Sequence, residues 1–226
     1  MERESSLGLV SRLPDNANKT LQPVSLHGLL EGKVEDFRRP DLDQRLQLAQ
    51  QLAGCVYSFG LVRWFHKDFS SRNVVFFQGL SGVLFDSPFV VGFSVSRPDS
   101  NTEKSFNKDL DALSTHLHPD LRIKSAAQRP SYHRKYEMYS LGLVLLEIGM
   151  WRPISKVIDG GLKMEPSEFK KTVVGRCREK LGFYVGPKYR DVVLHCLTCA
   201  DQDVGETASS LNTLYWTVVL ELAKLR

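Results

Sequence analysis

His66-Lys67-Asp68-Phe69-Ser70-Ser71-Arg72-Asn73, running directly into Val74-Val75-Phe76-Phe77, is the stretch on which the reading of this chain turns. Its polar residues predict an exposed loop, and the β-branched and aromatic run that follows predicts a strand. Upstream, Leu42, Leu46, Ala49, Leu52, Ala53 and Val56 recur at three- and four-residue steps after Pro40 and a capping Asp41. That spacing predicts an amphipathic helix ending near Gly60. Downstream, Gly79 to Gly82 turn the chain, and two short apolar runs, Val83 to Phe85 and Phe89 to Val91, are split by Ser87 and Pro88. Together with Val74 to Phe77 they predict a small antiparallel sheet, with Asp86 in a turn.

Further out, residues 97–131 are polar and without sustained period, which predicts a long loop. Within it, 98–114 offers Ser100, Thr102, Ser105 and Ser114 as phosphorylation candidates, although a plainly solvated loop is the preferred reading. Tyr136 to Trp151 is apolar nearly all round, the signature of a buried helix, and Pro153 stops it. Three more helices are predicted: from Pro166 to about Glu179, Tyr189 to Cys199, and Thr207 to Arg226. Residues 1–40 read as an irregular lead-in with at most a short helix at Ser25 to Leu30 and no sizeable core, leaving 41–226 as the domain. The fold class is therefore mainly α with a small β element.

With 226 residues, 42% of them hydrophobic, the chain can bury one good core. Its net charge of +4 is spread out rather than run together, which argues against nucleic acid as a partner. The locally basic stretches 122–124, 129–135 and 170–180 read as solvated surface, and Trp64, Phe65 and Trp216 as core. Four cysteines are too few for a disulfide framework, which points to a reducing compartment, and Cys196-x-x-Cys199 lacks the partners of a zinc site, so that pair reads as structural thiols. The opening MERESSLGLV is not a secretory signal, and Leu141 to Trp151 is too short for a membrane span and contains Glu147. A soluble, cytoplasmic chain is expected.

The loop His66 to Asn73 resembles the protein-kinase catalytic loop, H-R-D-L-x-x-x-N. The resemblance implies that Asp68 stands where the family has its base and Asn73 where it has a magnesium ligand, both converging on one phosphoryl group from a single rigid loop. His66 would then pack and bond within the core. Three further segments fall in the right order: the helix RLQLAQQLAGCVYSFG before the loop, Tyr139-Ser140-Leu141-Gly142 through Glu147, which resembles the buried helix of the kinase C-terminal lobe, and His195-Cys196-Leu197. The phrases HKDFSSRNVVFF, PFVVGFSVSR and YSLGLVLLEIGMW are similar to the degenerate kinase-like region of fungal proteins related to HeLo-domain, or prion-inhibition, proteins. The fold so implied is a protein-kinase-like C-terminal lobe without a complete N-lobe.

This chain departs from the kinase pattern in ways that bear on activity. Gly92-Phe93-Ser94 is in register with the metal-binding Asp-Phe-Gly, so Gly92 occupies the position of the magnesium-gripping carboxylate. Lys67 replaces the loop arginine and cannot grip a phosphate with bidentate geometry. Ser70 stands where Ser/Thr kinases carry a phosphate-contacting lysine, and Glu137 stands for the helix-initial aspartate that holds the loop backbone. Neither a Gly-rich phosphate loop nor its strand lysine is found. The resemblance therefore implies a pseudokinase acting as a protein-interaction or regulatory module, with a protein partner and no cofactor. The alternative is a protein kinase using Mg-ATP, with Asp68 as base, Asn73 as magnesium ligand and an N-lobe supplied from elsewhere; Asp86 or Asp99 facing Asn73 would favour it.

Overall fold

The computed structural model describes residues 13–98, 115–122, 130–158, 164–201 and 208–225. Asp41 starts the predicted helix as its N-cap: its side chain accepts from the Gln44 amide at 2.9 Å while Gln44 Oε1 accepts from the Asp41 amide at 3.2 Å. This reciprocal box opens α2 (Leu42–Leu61), whose buried face is the predicted stripe Leu46, Ala49, Leu52, Ala53 and Val56. The chain then passes through β2 (Trp64–Phe65) and the loop to the hairpin of β3 (Val74–Gly79) and β4 (Gly82–Val90).

The small sheet has the order β1-β3-β4, antiparallel throughout, where β1 is Val24–Ser25. β4 is one continuous strand rather than two runs. It absorbs the break at Ser87 and Pro88 with a register irregularity between Phe76 and Gln78, and as an edge strand it tolerates a proline that donates no ladder bond. Asp86 is thus in mid-strand and exposed, not in a turn, and its carbonyl accepts from Gln51 Nε2 at 3.1 Å. A second pairing joins β2 to β5 (Arg97–Pro98), Trp64 opposite Pro98. Asp99 and the candidates Ser100, Thr102, Ser105 and Ser114 lie outside the described residues.

The lead-in contributes more than predicted. Ser25 caps α1 (Leu26–Glu31) through the Gly28 amide, and Leu26, Leu29 and Leu30 are buried in the same core as α2, so core begins well before residue 41. At the centre of that core lies α3 (Arg134–Met150), buried on every side. It accepts close neighbours where side chains are absent: a Cβ at Gly142 would stand 2.9 Å from Cys196 Cβ on α7 (Pro187–Thr198). Arg45 of α2 donates to the Gly149 carbonyl at 2.7 Å, satisfying an end group of α3 from a neighbouring helix. Trp151 ends α3 in a left-handed cap, and Pro153 opens the short α4 (Ile154–Val157).

After α5 (Pro166–Arg176) the helical path does not stop near Glu179. It continues through a wider turn, Cys177–Leu181, into α6 (Gly182–Val185) before α7, and α8 (Ala208–Ala223) closes the architecture against α2. Phe65 is buried as predicted, but Trp64 and Trp216 are 39% and 46% exposed, Trp216 resting 5.3 Å from Tyr57. Burial pushes the thiols up, Cys55 to about 11 and Cys177 and Cys199 to about 12, so they are packing groups at neutral pH. Among the described residues, no helix is long and apolar enough to cross a membrane.

Residues 115–122, read from sequence as part of a featureless loop, pack into the domain. His116 Nε2 meets Glu147 Oε2 at 3.0 Å, and the other Glu147 oxygen accepts from the Ile154 amide at 2.7 Å. His118 is buried against Tyr136 and Tyr139, with Lys170 Nζ at 2.8 Å from its Nε2. The basic stretches are accordingly not all solvated: Arg134 is buried, and Lys170 sits between His118 and Asp201.

Burial first, and then the Lys170 charge, hold His118 down to about 4, against the opposing pull of Asp120 and Asp201, with Lys135 adding to the depression. The folded value lies below the unfolded 6.5, so as pH falls the unfolded chain takes up this proton first. His118 is therefore expected to make stability fall between about pH 6.5 and 4, by at most ~1.4 kcal/mol per pH unit. Urea unfolding across that window should show a flatter slope in His118→Gln.

Candidate functional site

Two anchors set the backbone of the 66–73 loop. His66 Nε2 lies 2.7 Å from the Val91 carbonyl and its Nδ1 is 3.2 Å from the Asp68 amide, so the ring donates through Nε2 and accepts through Nδ1. Phe93 at 4.8 Å and Phe69 at 6.0 Å enclose the ring, which is fully buried, and Ser96 Oγ donates to the His66 carbonyl at 2.9 Å. The other anchor is Glu137 in the first turn of α3. Its Oε1 accepts from the Lys67 amide and from the Tyr132 hydroxyl, each at 2.6 Å. The backbone contact expected of Glu137 is made.

Lys67 needs that anchor because its φ of +68° is in the left-handed region, unfavourable for a residue with a side chain. Its side chain is buried, with Nζ 5.5 Å from the centroid of the Tyr132 ring. A third contact comes from α1, where the His27 amide donates to the Ser71 carbonyl at 2.9 Å. The segment that sequence reading set aside as lead-in thus also fastens the loop.

Asp68 and Asn73 meet. Asn73 Nδ2 donates to the Asp68 backbone carbonyl and to Asp68 Oδ2, both at 2.8 Å, which commits both amide hydrogens. The Asn73 backbone continues the ladder toward β4, its carbonyl accepting from the Val91 amide at 2.9 Å. The next residue is Gly92, in the left-handed region at φ +86° and ψ +36°. A Cβ there would lie 2.6 Å from Asn73 Cγ and Oδ1 and 2.7 Å from Nδ2, closer than nonbonded heavy atoms pack. Glycine is therefore required twice over, by the backbone angle and by the Asn73 side chain lying across it.

The structure brings Asp68, Asn73 and Gly92 together, the three positions that the sequence singled out. Asp86 is remote from them: Val90, not Asp86, pairs with Val74 beside Asn73. What sequence reasoning missed is Tyr132, which had no periodic or motif signal and joins Phe65, Leu117, Leu121 and Tyr136 in a small second core beside the loop.

Chemically, Asp68 and Asn73 retain carboxylate and carboxamide oxygens of the kind that hard cations prefer. The opposing face, however, is the glycine backbone, which adds no side-chain ligand. Among the described residues no group of three or more His, Cys, Asp or Glu side chains is gathered to hold a metal ion. Residues 4–224 match the family model of DUF7580, a domain of unknown function, which takes in nearly the whole chain. No curated protein matches the chain.

Proposed function

We propose that this chain, which belongs to the DUF7580 family, is a degenerate protein-kinase-like lobe that works as a protein-interaction or regulatory module and not as a phosphotransferase. One observation carries the reading: what lies against the Asn73 side chain is the backbone of Gly92, with no room there even for a Cβ, so no carboxylate joins the Asp68 and Asn73 oxygens in gripping a metal. In a kinase the residue at the Gly92 position supplies a carboxylate to the metal that bridges the nucleotide phosphates. Phosphoryl transfer draws nearly all its acceleration from positioning and charge neutralisation, so losing that ligand removes the principal catalytic device.

The kinase-like half of the reading is supported by the order of elements. A helix leads into a buried histidine loop, a hairpin follows, β5 returns to pair with β2, and a wholly buried helix sends an acidic side chain back to the loop. A partner-binding role is supported by the exposed apolar side chains just before this loop, Leu61, Val62 and Trp64 at 53%, 70% and 39%, with exposed Arg63 among them.

Thermal unfolding across a titration of Mg-ATP tests the proposal. A ligand that binds only the folded state raises the midpoint, so the expected result is the same midpoint with magnesium present or chelated. A magnesium-dependent rise that Asn73→Ala abolishes would overturn it.

A further inference from the structure

We propose that Arg122, Tyr139 and Lys170 form a binding site for a phosphate-class anion where the 119–122 turn meets α3 and α5. This site stands apart from the 66–73 loop and does not depend on the kinase-like reading.

Three facts converge on it. Tyr139 is fully buried, yet among the described residues its hydroxyl has no hydrogen-bond partner. Arg122 Nη1 is likewise buried without a partner, its guanidinium lying 5.8 Å from the centre of the Phe169 ring. Lys170, the residue after Phe169, places Nζ 5.7 Å from the Tyr139 ring centroid and is oriented by Asp201 at 2.5 Å and His118 at 2.8 Å. The charges that bear on the Tyr139 phenol are Arg122 and then Asp201, so all four groups share one locality.

Buried polar groups rarely go unsatisfied, and the cost is largest for a charged one. A guanidinium and a phenol without partners among the described residues, together with an ammonium, are gathered in one locality. Asp201 is the acid bonded to Lys170, which leaves the Arg122 charge without an ion partner among the described residues. Water would satisfy the phenol but supply no countercharge. A tetrahedral oxyanion does both, accepting from Arg122 and Tyr139 together while Lys170 contributes at longer range. Asp201 is 59% exposed at the side chain and Lys170 12%, so the cluster has an opening to solvent on that side.

The test is the unfolding midpoint of the full chain titrated with inorganic phosphate against sodium chloride at matched ionic strength. Phosphate should raise the midpoint and chloride should not. Arg122→Gln should weaken the apparent affinity by roughly tenfold or more. Tyr139→Phe keeps the ring and removes only the orphan hydroxyl, so it should fold as well as the parent and still bind phosphate about fivefold more weakly. Equal responses to phosphate and chloride would overturn the proposal, as would unchanged phosphate affinity in both variants. Repeating the titration with phosphoserine identifies the source: tighter binding than inorganic phosphate marks a modified side chain, weaker binding marks the free ion.

Discussion

Gly92→Asp should cost about 3 kcal/mol of stability or more and should not confer nucleotide binding. On the kinase-like reading proposed above, the substitution supplies the carboxylate that a kinase carries at the matching position, so local sequence logic expects a gain. The geometry predicts a loss. A side chain at φ +86° costs roughly 1–3 kcal/mol by itself. The Cβ then meets Asn73 at 2.6 Å, and turning Asn73 aside breaks two hydrogen bonds to Asp68, each of about 1 kcal/mol.

Two comparisons isolate these terms. Gly92→Ala should lose nearly as much as Gly92→Asp, because the Cβ and not the carboxylate makes the clash. Pairing Gly92→Ala with Asn73→Ala should relieve the overlap, and a double-mutant cycle in urea unfolding should return a coupling of about 1 kcal/mol or more. Purely additive losses would mean that Asn73 is not the group Gly92 protects. A magnesium-dependent ATP response in Gly92→Asp that the parent lacks would mean that Asn73 yields to the new side chain, so that the missing carboxylate and not the Asn73 overlap is what keeps the parent from binding nucleotide.

How far the sequence reaches into this structure depends on the range of the interactions involved. The Asp41 cap of α2 was readable from residue type, and its buried stripe and the apolar girth of α3 as periodicity, because all three arise within one or two helical turns; the Gln44 half of the capping box was not read. Asp68, Asn73 and Gly92 were singled out only through the resemblance to the kinase loop, and they meet because they stand on one loop and one hairpin. Interactions between distant segments left no such trace. His116 and His118 find Glu147 and Lys170 at separations of 31 and 52 residues, so a polar stretch without period concealed a buried segment. Leu26, Leu29 and Leu30 look sparse in the lead-in, and only the pairing of β1 with β3 reveals that they enter the core. Trp64 and Trp216 failed in the opposite sense: aromatic bulk predicts burial, yet both lie partly at the surface.

Glu137→Ala is expected to be the most damaging single change at the loop's foundation, at about 3 kcal/mol. It leaves the Lys67 amide and the Tyr132 hydroxyl without their acceptor, each in a buried setting where an unmet donor costs roughly 1–3 kcal/mol. Burial, and then the Glu137 charge, hold the Tyr132 phenol well above its ordinary range, so the hydroxyl stays a donor with nowhere to donate. Glu137→Gln separates charge from acceptor. Its amide oxygen can still take both bonds, and it carries no buried charge to desolvate, so it should lose far less than the alanine variant. Tyr132→Phe removes one donor and leaves the Lys67 contact, and should cost about 1 kcal/mol. Amide hydrogen exchange adds the local readout: protection at Lys67 should collapse in Glu137→Ala while α2 amides far from the loop keep theirs. An alanine variant that lost less than about 1 kcal/mol, with Lys67 still protected, would show that the strained φ of +68° is held by something other than α3. The loop's shape would then no longer depend on the one acidic contact that ties it to the centre of the fold.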